Sequence, residues 1–273
     1  MFSAPMIRAL LAGRKTMTRR PITKLEIHLP GTVSSETLGI PSHLQEKLGR
    51  LVAKPGNYVA TMNPQGAVSI EIDGKSLGIK PGEFDFLCPY LSGPVETTIQ
   101  KLDNRSRWKI VGRPQNLWVR EAVERKDFAA VYVADGAPVL GAGRWEWKTR
   151  TLSPIYMPRA FARFEIEPSA VYVEKLTAIS REDAIAEGAF FTDYGKTNHG
   201  GLPEHQDFLP GWSMVKTTKS DECLSSPIGA FGNYYNELHG GPNWNLKAQP
   251  HPFEAAPFVW AIAFTPHRIV PHA

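Results

Sequence analysis

The chain has 273 residues, 42% hydrophobic and 21% charged, with 31 lysines and arginines against 27 aspartates and glutamates. This is the balance of a soluble globular chain with ample length for a core, and it argues against a disordered or fibrous protein. No apolar run approaches the roughly 20 residues of a membrane span, and Cys88 and Cys223 stand far apart without CxxC spacing, against a disulfide framework or zinc knuckle.

In chain order, the first predicted element is a helix from Ser3 to Gly13. Ser3 stands at the N-cap and Pro5 in the first turn, Met6, Ile7, Leu10 and Leu11 recur at helical spacing, and Gly13 offers a left-handed stop. Residues 23–56 read as a loop with one helical turn around His43–Leu48. Tyr58–Met62 and Ala67–Ile72 form two β-prone runs around the turn Asn63-Pro64-Gln65-Gly66, and Phe84–Tyr90 reads as a buried strand. Residues 93–109 carry little signal until Trp108–Val111, which with Leu117–Val123 reads as strand. Val131–Val133 is expected to pair with Arg144–Thr149 across a glycine-rich stretch.

The second half is clearer. Phe161–Glu167 and Val171–Leu176 read as central strands separated by a kink at Pro168-Ser169. Ser180 caps a short helix that Gly188 ends, residues 191–225 form a long excursion, and Ser226-Pro227 opens an amphipathic helix running to Gly240. Phe258–Phe264 alternates as a last strand. The pattern predicts an α+β, mainly β fold: a barrel or curled sheet flanked by short helices, in one elaborated domain over 1–273 with insertions at about 23–107 and 191–225.

Charge is concentrated at one end. Arg8, Arg14, Lys15, Arg19, Arg20 and Lys24 fall in the first 24 residues with no acid among them, which predicts an anionic partner. The competing reading is a solvated cationic surface. The eight histidines show no metal-ligand spacing, and Gly141–Gly143 lacks the lysine of a phosphate-binding loop, so no metal or other cofactor is expected. No secretory signal is visible at the N-terminus, so a cytoplasmic location is expected.

Several stretches together resemble the ASCH-domain proteins, in particular the long form met in bacteriophage and prophage genomes. They are residues 2–20 (FSAPMIRALLAGRKTMTRR), 117–122 (LWVREA), 153–188 and 258–264 (FVWAIAF). The most specific piece is Gly13-Arg14-Lys15-Thr16-x-Thr18-x-Arg20, similar to the GxKTxTxR signature of that family. The resemblance implies a PUA-like β-barrel whose cleft takes a nucleotide, a modified nucleoside, or RNA or DNA, in the cytoplasm of a bacterial host. Small members of the family hydrolyse the acetyl amide of acetylated cytidine with a lysine, a threonine and a strand glutamate. Carried over, the lysine falls on Lys15 and the threonine on Thr18. The glutamate falls on Glu167, with Glu165 as the alternative, and Glu121 stands at another position where relatives often carry an acid.

The residues permit both binding and catalysis. For binding, Lys15, Arg19 and Arg20 neutralise phosphates, Arg14, Arg120 and Arg159 add charge, Thr16 and Thr18 donate to phosphate oxygens, and a glutamate accepts from a base amino group. Trp118, Trp260 or Tyr156 offers a stacking surface, although strand tryptophans are more often core. For catalysis, Lys15 with a lowered pKa activates the Thr18 hydroxyl and Glu167 protonates the leaving amine. A third reading, a structural role in phage morphogenesis, has no coiled coil or repeat to support it. No expectation about oligomeric state follows.

Overall fold

The structure, a computed structural model, describes residues 2–22, 24–29, 56–63, 67–80, 83, 91–92, 98–101, 108–111, 116–127, 129–140, 145–198, 206–239, 253 and 255–268. The helical turn expected at 43–48 and the strand expected at 84–90 lie outside these residues, as does the 64–66 turn. Helix α1 (Ala4–Leu11) buries Met6, Ile7, Ala9 and Leu10. Strand β1 (Met17–Pro21) follows directly, then β2 (Lys24–Leu29), β3 (Gly56–Met62), β4 (Val68–Ile72), β5 (Lys75–Ile79) and β6 (Leu91–Ser92). Strands β2–β6 form a five-stranded antiparallel sheet in the order β5-β4-β3-β2-β6. The expected hairpin is the β3–β4 pair, with Ala60 opposite Ile70. Its inward face is apolar, with Ala60, Met62, Val68, Ile70 and Ile79 all buried.

Next come β7 (Thr98–Lys101), β8 (Trp108–Val111), β9 (Leu117–Trp118), β10 (Val123–Lys126), β11 (Ala129–Tyr132) and β12 (Thr151–Leu152). Here one expected pairing is corrected. β11 pairs with β10, and β10 with β12, so Val131 lies opposite Glu124 rather than against 144–149. Only two residues separate Lys126 from its partner Ala129, the first of them Asp127 in the left-handed region (φ 55°), so the local hairpin is the shorter closure. Strand β13 (Phe164–Lys175) is the expected pair of central strands fused into one. The kink is a register shift between Pro168 and Ala170, the kind of bulge that accommodates a proline lacking its N–H.

Helix α2 (Arg181–Ala186) starts where Ser180 Oγ accepts a 3.1 Å bond from the Asp183 N–H, as predicted for its cap. Within the expected 191–225 excursion and at its edge lie β14 (Phe190–Phe191), β15 (Lys196–Asn198), β16 (Gln206–Phe208) and β17 (Trp212–Ser213), which pair as β14–β17 and β15–β16. Helix α3 (Pro227–His239) and strand β18 (Phe258–Arg268) complete the order.

The fold is mainly β with few helices, and its principal sheet, β1-β18-β13-β8-β7 with β9 beside β13, is a curled antiparallel half-barrel. Phe2, Ile7 and Leu10 of the N-terminal segment pack with Phe231 and Tyr235 of α3, and with Leu176, Val259 and Phe264, in one core. Gly188 ties α2 to it. Its φ is +117°, and an added Cβ would lie 3.0 Å from the Ala9 Cβ, so both backbone conformation and close approach require glycine. None of the described helices is long and apolar enough to cross a membrane.

Candidate functional site

The signature begins where α1 stops. Gly13 takes the predicted left-handed conformation (φ 67°), and the Gly13 and Arg14 N–H groups bond back to Leu10 and Ala9 carbonyls at 2.9 Å. Ser3 holds an extended N-cap backbone, but its hydroxyl pairs with the Tyr234 hydroxyl instead of the helix. The next three residues close the C-terminal end of α2. Arg14 Nη1 donates to the Gly188 carbonyl at 2.8 Å, Lys15 Nζ to the Glu187 carbonyl at 2.9 Å, and the Thr16 N–H to the Ala186 carbonyl at 2.8 Å. Cations and N–H donors thus meet the carbonyls that a helix end leaves unbonded.

Lys15 is fully buried at 0% exposure. Its ammonium also donates to the Met17 carbonyl and to Glu187 Oε2, both at 2.7 Å, so its three hydrogens face three protein acceptors. Burial pulls its pKa below the usual lysine value, Glu187 pushes it back up, and Arg20 and Arg19 reinforce the lowering. Arg19, 4% exposed, binds Glu174 Oε1 through Nε (2.9 Å) and Nη2 (2.6 Å), Asp183 Oδ2 through Nη2 (2.8 Å), and Glu187 Oε1 through Nη1 (3.3 Å). Burial works against its charge, but those three carboxylates outweigh it and raise its pKa. The two buried cations therefore face three carboxylates, with Arg20 close enough for Glu187 to oppose the lowering that burial gives it. The Arg20 guanidinium lies 4.9 Å from the Phe2 ring centroid, and that of Arg14 lies 4.4 Å from Phe190.

The anionic partner predicted for the basic end is supplied in large part by the chain itself. Glu174, Asp183 and Glu187, absent from the predicted site, lie 155–172 residues downstream of Arg19 and Lys15. A sequence signal existed for two of them: Asp183 and Glu187 stand four apart, on one face of a short helix.

Thr18 differs from its neighbours. It sits in β1 opposite Ile262, is 2% exposed, and its Oγ1 has no hydrogen-bond partner among the described residues. A buried hydroxyl without a partner carries its desolvation cost uncompensated, about 1–3 kcal/mol. Thr16, by contrast, is exposed.

The predicted glutamates do not join this cluster. Glu167 is the correction: its side chain is 62% exposed and pairs with His267 at 3.0 Å, so it stands apart from Lys15 and Thr18. On β13 the outward alternation at Glu165 and Glu167 precedes the bulge, and Glu174 lies beyond it. Glu165 lies opposite His267 on one side and Trp118 on the other. Glu121 is buried and held by a two-point pair with Arg163, at 2.7 Å and 2.8 Å. Burial raises its pKa and Arg163 opposes. Arg163 also donates to Asp135 at 2.7 Å and lies 3.9 Å from the Tyr132 ring centroid. This second clamp joins the segment after β9, the turn after β11 and the start of β13.

Outside it, Trp118 is half-buried with the Arg120 guanidinium 4.4 Å from its ring centroid, and Arg120 Nη1 donates to the Ile155 carbonyl at 3.0 Å. Arg159 is exposed. Phe2 links the two regions: its N–H bonds to the Arg120 carbonyl at 2.9 Å, and its ring lies 5.6 Å from Lys15 Nζ. Trp260 lies opposite Arg20 in the β1–β18 pair. Among the described residues no cluster of His, Cys, Asp and Glu is arranged to hold a metal ion. Comparison with family models, curated proteins and solved structures returned no match.

Proposed function

We propose that the chain recognises a nucleoside or nucleotide at its signature strand, in a PUA-like barrel of the ASCH type, with the Thr18 hydroxyl meeting a polar atom of the ligand. One observation carries this reading: Thr18 Oγ1 is buried and has no hydrogen-bond partner among the described residues, within a signature whose Lys15 and Arg19 are fully engaged. Lys15 and Arg19 beside it are already held by Glu174, Asp183 and Glu187. A ligand oxygen or amino group offered to Thr18 would recover the desolvation cost. Arg20, half-buried beside Phe2, supplies positive charge at the same strand.

A second reading, amide hydrolysis on an acylated nucleoside such as acetylated cytidine, is favoured by the lowered pKa of Lys15. It requires Lys15 to release a proton and turn from one of its three acceptors toward Thr18. The binding reading needs no such rearrangement. Both are tested by incubating wild type and Thr18→Val with cytidine, its 5′-monophosphate and acetylated cytidine, reading thermal shift and product mass together. Stabilisation of wild type alone, without product, supports recognition. Release of acetate by wild type alone supports hydrolysis. No shift and no product with any of the three contradicts both for this ligand class.

A further inference from the structure

The five-stranded sheet β5-β4-β3-β2-β6 turns a polar face outward. With Ala60, Met62, Val68, Ile70 and Ile79 buried, strand alternation sends Thr61, Ser69 and Glu71 to the opposite face. Register sets Thr61 opposite Ser69 and Glu71 opposite Ser76, and the turn at Asp73 (φ 51°) and Gly74 (φ 71°) joins β4 to β5 beside them. With Val59, which is 59% exposed, these residues line a cleft of about 680 Å³. That lies within the range of about 300–1,000 Å³ usual for small-molecule sites. No lysine, arginine or histidine is among its lining residues.

The hydroxyls of the cleft are already ordered by one another. Ser69 Oγ and Ser76 Oγ lie 2.5 Å apart, so one hydroxyl donates to the other and the second has its hydrogen to offer outward. Thr61 Oγ1 reaches the Ser69 carbonyl at 3.5 Å, which points its lone pairs away from that bond. Among the described residues no ion pair involves Glu71. The cleft thus combines carboxylate acceptors, hydroxyls that both donate and accept, and one exposed aliphatic side chain.

We infer that this cleft binds a neutral saccharide, at a site separate from Thr18 and independent of the function proposed above. Sugar hydroxyls donate to the Glu71 and Asp73 carboxylates and accept from the serine pair, while a C–H face of the ring lies against Val59. Other ligand classes use less of the lining. A phosphate or nucleic acid meets two carboxylates and no cation. An apolar ligand would leave the hydroxyls and carboxylates without partners. An amine would satisfy the carboxylates but gives the serine hydrogen no acceptor. Among the described residues no cluster is arranged to hold a metal ion.

The experiment is calorimetric titration of the full chain with maltotriose, cellotriose and chitotriose, each to about 10 mM, with spermidine as the cationic control. At least one trisaccharide is expected to bind and spermidine is not. Glu71→Gln keeps the shape but removes the charged acceptor, and should weaken binding about tenfold. Thr61→Trp places a ring on the floor of the cleft and should abolish it. Both positions are exposed and tryptophan suits a strand, so melting temperatures should not move. A fall in the Thr61→Trp melting temperature would leave Glu71→Gln to decide. Thr18→Val should bind the sugar like wild type. Absence of binding with all three trisaccharides, wild-type affinity in Glu71→Gln, or binding of spermidine alone overturns the inference. Loss of sugar binding in Thr18→Val also overturns it, because the sugar would then occupy the signature site.

Discussion

Arg19 belongs to the basic N-terminal cluster, yet it is 4% exposed among three carboxylates, whereas Arg159, far outside that cluster, is exposed and faces none among the described residues. The density of positive charge in sequence therefore does not locate the surface that is free to bind. The signature uses its cations to fasten β1 to α2 and β13, closing the carbonyl end of α2 and burying Lys15. The strip around Arg120 and Arg159 keeps its cations at the surface. In the buried part of the signature, Thr18 adds a neutral hydroxyl that has no hydrogen-bond partner among the described residues.

The contrast can be broken most forcefully at Glu187. Glu187→Gln leaves the Lys15 ammonium buried without its counter-charge, and breaking such a pair costs about 3–5 kcal/mol. Urea unfolding measures it, and a loss below about 1 kcal/mol would mean that the network is not a clamp. Next is Lys15→Arg, which preserves charge but places a larger group at a fully buried position. Overpacking should cost about 1–3 kcal/mol in the same assay, so this variant is not a neutral probe of catalysis.

A smaller effect sharpens the description of the second clamp. Burial pushes the Asp135 carboxyl up, but hydrogen bonds from Arg163 and from the Ala137 N–H outweigh it and hold the pKa below the usual value. The contribution of Asp135 is therefore present above its unfolded pKa, about 3.9, and is lost as pH falls through the lower folded value. Glu121 has the opposite sign: its pKa is raised, so its contribution is present below the unfolded value and lost as pH rises through the folded one. Asp135→Asn should flatten the stability profile below about pH 4, and an unchanged acid limb would remove Asp135 from this account. Arg159→Ala should have the smallest effect, within about 0.5 kcal/mol, as expected of an exposed cation with no ion pair among the described residues.

Sequence reading recovered what local chemistry controls. Helices α1, α2 and α3 were legible from apolar spacing and capping residues, and β13 and β18 from long alternation. It missed β5 and β7, whose few apolar residues give little contrast with neighbouring loops, and β2, although Leu25, Ile27 and Leu29 alternate along it. It also mispaired Val131–Val133, because alternation shows that a strand exists without naming its partner. The site was legible on one side only. Lys15, Thr18 and Arg19 stood out, but their acids come from β13 and α2, over 150 residues away. The resemblance puts the glutamate on Glu167, with Glu165 as the alternative; Glu174, which meets Arg19, lies beyond the Pro168 bulge, and no periodicity argument shows what that bulge does to the strand after it.

The most direct test of the central claim is the melting temperature of Thr18→Val against wild type, with and without the three nucleoside ligands. Valine keeps the shape and removes a hydroxyl with no partner among the described residues, so the free variant should gain about 1 kcal/mol, or roughly 2–4 °C. The ligand-induced shift seen in wild type should disappear. A protein held together by that hydroxyl would instead lose stability on substitution, and an unchanged ligand shift in Thr18→Val would contradict the assignment of Thr18 as the ligand contact.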